Sequence, residues 1–302
     1  MYNTTLQFDS RGADAMTRIF LVLMFLSLPI VAHADANVRV VEQKTGGIAI
    51  FRPGIETPIF AFNASVDGRP YVHPLHAPDG KGVLTEFSPG HHKHQTGIYV
   101  GFLKVNGRDY FHNRGADHFR RIGFKHEAKS EGVSFTSSYE LLDKDKNAQL
   151  VETQAWVFRD FTQTYLIDLT WTAKANVDVT FDKYDYGGLF IRMPWKNQPG
   201  AKAVNSEGHV NGKCEGQKAR WVDIGMSVDG RKDPAHIAVM SHMPLPWRVD
   251  GQLGVGPAPS RAGAWKLGKG ESVTYRYRFL VYTGDFQEAQ VQAESKAFSS
   301  SK

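Results

Sequence analysis

Residues 150–158 read LVETQAWVF and residues 165–171 read YLIDLTW. Both alternate with period two, the spacing of side chains on an extended chain that is half buried. The run Phe158-Arg159-Asp160-Phe161 between them predicts a tight turn joining two long antiparallel strands. The same alternation extends outward in both directions. Downstream, it recurs at residues 177–181, 187–193, 220–226, 237–242 and 273–282; upstream, at 132–142, 58–62, 47–51 and 38–41. Residues 97–105 (GIYVGFLKV) lead into Asn106-Gly107, a strong hairpin signal. Pro53, Pro58 and Pro70 stand at segment edges, where strands tolerate a residue without an N–H. Only residues 287–298 carry a helical pattern. Many strands with no helices between them exclude a parallel βαβ sheet. They predict an all-β fold, a large antiparallel β-sandwich with one short C-terminal helix. Residues 79–90, 196–216 and 251–263 are long, turn-rich loops, the places where a rigid β-scaffold carries function.

The N-terminus has a different character. Arg18 precedes an apolar stretch, residues 19–31, and Ala32-His33-Ala34 forms a small-x-small cleavage signal before Asp35. These are the parts of a secretory signal peptide, expected over residues 1–34, with Met16 as a candidate start and residues 1–15 upstream of it. The apolar run is shorter than the roughly 20 residues of a membrane span, and no later segment is longer. Residues 35–302 are expected to form a single β-sandwich domain without a membrane segment, exported to a bacterial periplasm or exterior. Cys214 is the sole cysteine, so no intramolecular disulfide staples the chain. The formal charge of +5 comes without any Lys/Arg block, which argues against a nucleic-acid partner.

Zincin, nucleophile-elbow and Walker motifs are missing from the sequence. Gly251, Gly254 and Gly256 are followed at once by Pro257 and Pro259, so this stretch cannot open a dinucleotide-binding helix. It predicts a rigid loop of close backbone approach. Cys214 has no neighbours that mark a nucleophile.

Histidine is concentrated instead. Seven of the twelve lie between positions 73 and 118: His73, His76, His91, His92, His94, His112 and His118. In an extended chain His92 and His94 share one side, while His91, Lys93 and Gln95 take the other. Two such imidazoles can place a base and a donor beside one substrate, and His92 and His94 are the candidate catalytic residues. They could also share a divalent metal at residues 91–94, but no third ligand stands at a recognisable spacing. His76, His112 or Glu86 could supply one only through the fold. No cofactor is otherwise expected. Arg248, Asp250 and Gln252 form a second polar constellation, readable as a ligand-binding strand or as an internal Arg–Asp salt bridge. Arg192, Arg220 and His242 join them, with His73, His76 and Gln95, as candidate substrate-binding groups. Trp195, Trp247 and Tyr99 are candidates for stacking on a ligand.

The runs Arg69-Pro70-Tyr71-Val72-His73-Pro74-Leu75, Pro78-Asp79-Gly80 and residues 91–97 (HHKHQTG) resemble an exported bacterial family labelled "PmoA family" or "methane oxygenase PmoA". Gly187-Gly188-Leu189, Ala219-Arg220-Trp221-Val222-Asp223, residues 247–252 and residues 275–284 extend the likeness over nearly the whole chain after the signal. The family is otherwise a domain of unknown function, so the resemblance implies export and no assigned chemistry. Residues 265–272 before a long strand also resemble the closing hairpin of galactose-mutarotase-like sandwiches. That likeness implies an architecture that hosts sugar epimerases, glycoside hydrolases and polysaccharide lyases.

Clustered histidines beside a second polar strand predict a carbohydrate-active protein using histidine acid/base chemistry on a sugar or other polar small molecule. Two alternatives stay open at this point: a sugar-binding protein without catalysis, and a metal-dependent oxygenase or hydrolase.

Overall fold

The computed structural model describes residues 38–195, 201–250 and 254–301. The expected leader, residues 1–34, and the candidate Gln252 lie outside the described residues. The strands are β1 (Arg39–Glu42), β2 (Gly47–Phe51), β3 (Phe60–Asn63), β4 (Tyr71–Leu75), β5 (Ile98–Gly101) and β6 (Phe119–Lys129). There follow β7 (Gly132–Leu142), β8 (Ala148–Asp160), β9 (Tyr165–Ala175), β10 (Val179–Phe181), β11 (Gly188–Ile191) and β12 (Lys202–Asn205). The last are β13 (Lys218–Met226), β14 (Ala235–Asp250), β15 (Gly254–Pro257), β16 (Trp265–Leu267) and β17 (Ser272–Thr283). A single turn of helix, α1 (Pro259–Ala262), and the terminal helix α2 (Glu288–Ser300) complete the order.

The fold is the expected antiparallel sandwich. One sheet runs β1-β2-β3-β4-β5-β11-β15-β14, the other β12-β13-β14-β17-β9-β8-β7-β6. Strand β14 belongs to both. Its first half, Ala235 to Ser241, pairs with β17, and its last residues, Trp247 to Asp250, pair with β15. The sequence pattern predicts a strand ending near His242, because Met243-Pro244-Leu245-Pro246 looks like a breaker. The strand continues, because the prolines fall where β14 has left β17 and not yet joined β15. A missing N–H costs little at that crossover.

The core lies between the sheets and is set by the period-two pattern. From β8, Leu150, Trp156 and Phe158 point inward, and from β9 Ile167, Leu169 and Trp171. Opposite them stand Ile48, Ile50, Phe60, Phe62, Val72, Ile98 and Val100. The predicted turn after β8 shifts by a few residues. Strand β8 runs through Asp160, and Phe161 N–H closes the turn on the Thr164 carbonyl at 2.9 Å. The outer face of the second sheet is covered by α2, whose Val291 and Phe298 pack on Trp221, Met240 and Leu280. Among the described residues no helix is long and apolar enough to cross a membrane.

Three local expectations change. The histidine stretch is not the start of a strand, since β5 begins only at Ile98. Asn106 and Gly107 do adopt left-handed angles, φ 47° and 78°, but they turn a single pair, Val105 with Arg108, and not two long strands. The glycine-rich stretch forms strand β15 where a loop is expected. Its close approach is real: a Cβ on Gly256 would stand 2.0 Å from the Leu189 carbonyl oxygen of β11.

Candidate functional site

The outer face of the first sheet carries a small aromatic cluster of Tyr99, Leu103, Phe111 and Phe190, with Tyr71, Tyr184 and Tyr186 against it. Tyr99 of β5 and Phe190 of β11 face each other across the strand pair and form its floor. Over this floor opens a cavity of about 280 Å³ lined by His91, His92, His94, Gln95, Phe111, His112, Tyr186, Phe190 and Arg248.

The histidines reach it through a folded loop. Ser88 N–H donates to the Gln95 carbonyl at 2.7 Å, and Phe87 bridges Thr96. Inside, His92 N–H donates to the Pro89 carbonyl and Gln95 N–H to the His92 carbonyl, at 2.9 and 3.0 Å. Two successive turns therefore replace the extended alternation. They bring His91, His92, His94 and Gln95 to one cavity, where a strand would have divided them. The imidazoles are in contact: His91 and His92 are tilted with centroids 3.9 Å apart, and His92 and His94 meet in a T shape at 5.9 Å.

His112 arrives from the next loop, and its ring centroid is 4.5 Å from that of His94. Asp109 shapes that loop. Its Oδ1 accepts the N–H groups of Phe111 and His112, both at 2.9 Å, and its Oδ2 lies 2.7 Å from His112 Nδ1. Burial alone would raise the Asp109 carboxyl, but these hydrogen bonds outweigh it and hold it below its ordinary value. An ionised carboxylate only accepts, so Nδ1 of His112 carries the hydrogen and Nε2 is the ring nitrogen turned away from Asp109. That Nε2 is 3.3 Å from the Tyr186 hydroxyl. Burial, with Tyr184 beside it, pushes the Tyr186 phenol up to about 12, so it stays a donor at neutral pH.

Burial, and then the repulsion that a protonated His94 would meet from His112, Arg69 and His92, pushes His94 down to about 4. His92 is lowered too, by burial and then by His91. Both rings are neutral at pH 7. A stability consequence follows for His94. Between about pH 6.5, its ordinary value, and pH 4 the unfolded chain binds a proton that the folded site refuses. Stability should fall as pH drops through that window and level off below it. Thermal melts at pH 7.5 and 4.5 should show a larger Tm loss for the wild type than for His94→Gln; parallel losses would contradict the assignment.

Beneath the cavity lies Arg69, 3% exposed. Its guanidinium sits 3.6 Å from the Tyr99 ring centroid and donates to the carbonyls of Phe111 and His94. It thereby ties together the two loops that carry the histidines. No signal in the sequence separates this arginine from others.

The remaining candidates divide. Gln95 is buried, and its Oε1 accepts from Arg192 at 3.1 Å; Arg192 also pairs with Glu86 at 2.7 Å. Arg192 thus buttresses the cavity through Gln95. Arg248 lines the cavity while bonded to Glu215 at 2.9 Å and Asp250 at 2.6 Å. The internal Arg–Asp salt bridge weighed for that strand is present, and Arg248 also stands in the cavity wall. Burial would raise the Glu215 carboxyl, but the Val249 N–H and Arg261 lower it further. The other candidates are not brought here. His73, on β4, is 2.9 Å from the Thr85 hydroxyl, and His76 bridges Val83. Arg220 is exposed on β13, in the other sheet, and His242 Nδ1 contacts the Arg276 backbone. The stacking candidates are also corrected, since Tyr99, Trp195 and Trp247 are all buried in packed surroundings. Phe111, Phe190 and Tyr186 are the rings that meet the cavity. Cys214 is buried and its thiol is pushed up to about 11 by burial, as expected of an inert thiol. Among the described residues no three His, Cys, Asp or Glu side chains are grouped to hold a metal ion.

His112 with Asp109 and Tyr186 is the part that sequence reasoning did not assign. The spacing Asp109-x-x-His112 is the one local signal that could have pointed to it.

Residues 56–296 match a family of unknown function, DUF6807, and the chain belongs to that family. No curated protein matches the sequence. Among solved structures, the chain is similar to a galactose 1-epimerase from Lactobacillus acidophilus NCFM, at 10% identity and TM-score 0.42, over 82% of this chain and 99% of that one. It is similar to an α-galactosidase from Lactobacillus brevis at 9% identity and TM-score 0.41, over 88% of this chain and 42% of that one. A GH36 α-galactosidase from Geobacillus stearothermophilus gives 11% identity and TM-score 0.38, over 82% of this chain and 40% of that one. The chain thus spans about two fifths of the length of either galactosidase.

Proposed function

We propose that this member of a family of unknown function is an exported carbohydrate-active enzyme that moves protons on a sugar bound in the histidine cavity. The observation that carries this reading is the Asp109–His112 pair. A carboxylate 2.7 Å from Nδ1 orients an imidazole whose Nε2 faces Tyr186, with the neutral His94 ring 4.5 Å away. A neutral imidazole held in one tautomer is a competent general base, and a neighbouring phenol is a donor for a hydroxyl or a leaving oxygen. His112 accepts the proton, Tyr186 and His94 hydrogen-bond the reacting region, and Arg248 and Gln95 hold further hydroxyls. His92, with His91, stands in the same wall. Phe111, Phe190 and Tyr186 provide apolar ring faces beside these polar groups, the mixed lining that suits a sugar's two kinds of surface. The volume, about 280 Å³, is near the lower end of small-molecule pockets and accommodates one sugar ring. The reaction class is epimerisation, elimination or hydrolysis, all of which need a paired acid and base.

The test is a panel of mono- and oligosaccharides offered to the protein purified without a histidine tag, with binding followed by calorimetry and products by NMR. Binding with product formation supports the reading. Binding with no product on any member would make the protein a lectin-like binder. A tightly held transition metal, lost in a His92→Ala/His94→Ala variant, would replace acid/base by metal-assisted chemistry.

A further inference from the structure

We infer that a second saccharide subsite lies beside the histidine cavity, so that the substrate is an oligosaccharide or glycan chain and not a free sugar. The inference rests on the sugar reading above and deepens it. The observation is Phe87. Large apolar side chains at the surface are ordinary when single, but this one is 42% exposed and held in place on several sides. The Tyr71 ring is 5.4 Å from it, the His73 ring lies nearly parallel at 5.6 Å, and the Arg114 guanidinium is 5.5 Å from its centroid. His73 is fixed in turn by Thr85 at 2.9 Å. The result is a rigid aromatic platform rimmed by hydrogen-bonding groups.

Tyr71 and Arg114 also line an open groove of about 600 Å³ together with Thr45, Asn63, Asp67 and Arg69. Seven of the ten residues of that wall carry a polar side-chain atom, as a surface that binds hydroxyls requires. The groove and the histidine cavity share their supports. Arg69 lines the groove and donates to the His94 carbonyl. Phe87 is the residue that closes the histidine loop by bridging Thr96, and Ser88 of that loop takes a 3.5 Å contact from Arg114. A chain with one ring among the histidines therefore has its next ring directed over the loop toward Phe87. His73, foreseen from the sequence as a ligand group, takes its place in this second subsite.

The experiment measures affinity by calorimetry for each saccharide series that binds, from one to six units. It compares wild type, Phe87→Ala and Phe87→Trp. Affinity is expected to rise with the second or third unit. Phe87→Ala should remove about tenfold of that gain, the size of one ring contact of about 1.4 kcal/mol, and leave the single sugar unchanged. Phe87→Trp should retain it. If longer chains bind no tighter than one unit, or Phe87→Ala weakens every length equally, the subsite is overturned while the sugar reading stands. If no saccharide of any length binds, both fall. The exposed position of Phe87 makes the variant's folding easy to verify by an unchanged melting curve.

Discussion

His112→Gln should lower kcat on the saccharide substrate by about 10²–10⁴-fold, the usual contribution of a positioned general base. KM should change little. Glutamine can still donate one hydrogen bond toward Asp109 and occupy the same space, but it cannot take up a proton at neutral pH. Asp109→Asn is the companion variant. It keeps the shape of the loop and removes the acceptor that fixes Nδ1–H, 2.7 Å away in the wild type. The ring can then adopt the other tautomer and present a hydrogen to the substrate where a lone pair is needed. Its loss should approach that of His112→Gln, and the two should be far from additive because they disable one unit. Nitrogen-15 NMR of the imidazoles reads the tautomer directly, independently of turnover. An unchanged kcat in His112→Gln, with the fold intact, would remove His112 from the chemistry and return the role to His94 or His92.

Trp156→Ala should cost about 3–5 kcal/mol of stability, as large-to-small changes at buried aromatic positions do. Trp156 is 1% exposed at the centre of the sandwich. It lies nearly parallel to Phe135 at 6.0 Å and to Phe279 at 6.1 Å, and its edge meets Phe60 at 6.5 Å. Its Nε1 donates to Gln154 at 3.1 Å, so truncation also strands a polar group beside the buried Glu152. Both sheets contribute to this contact: Trp156, Phe135 and Phe279 stand on β8, β7 and β17, and Phe60 on β3. A cavity here cannot be closed by moving a single strand. Denaturant unfolding should show a lower midpoint, and Trp156→Phe should lose much less. A cost below about 1 kcal/mol would mean that the two sheets do not depend on this layer for their packing.

The sandwich was legible because its information is local and repeated. In β8 and β9 each second residue enters the core, so Leu150, Trp156 and Ile167 announce their own burial through spacing. The helix over residues 287–298 was visible for the same reason, and α2 occupies Glu288–Ser300. The continuity of β14 was not legible. Pro244 and Pro246 break a strand by every local rule, yet here they fall where β14 passes from β17 to β15 on one side while β13 still pairs with it on the other. Strand β6, Phe119–Lys129, is not legible either: it is an edge strand with one exposed flank, and its pattern is interrupted by a register shift between Arg121 and Gly123.

For the site, composition alone picked out the histidine-rich loop and the Arg248 strand as places of chemistry, and both meet at one cavity. Residue type is intrinsic to the chain, and clustered imidazoles are informative wherever they fold. Which face each histidine takes depends on φ and ψ through residues 88–96, and there turns replaced the strand. Which groups stand together depends on sheet order. Strand β5 pairs with β11, and β11 with β15, so Tyr99, Phe190 and Arg248 become neighbours across some 150 residues of chain. The sequence by itself therefore determined the β-class, the core-facing residues and the kinds of side chain available for catalysis, because period and chemistry are local properties. Only the tertiary structure decided that Asp109, His112 and Tyr186 stand in contact, that Arg69 ties the two histidine loops together, and that Trp195 and Trp247 are core. These are matters of long-range pairing, and no spacing along the chain encodes them.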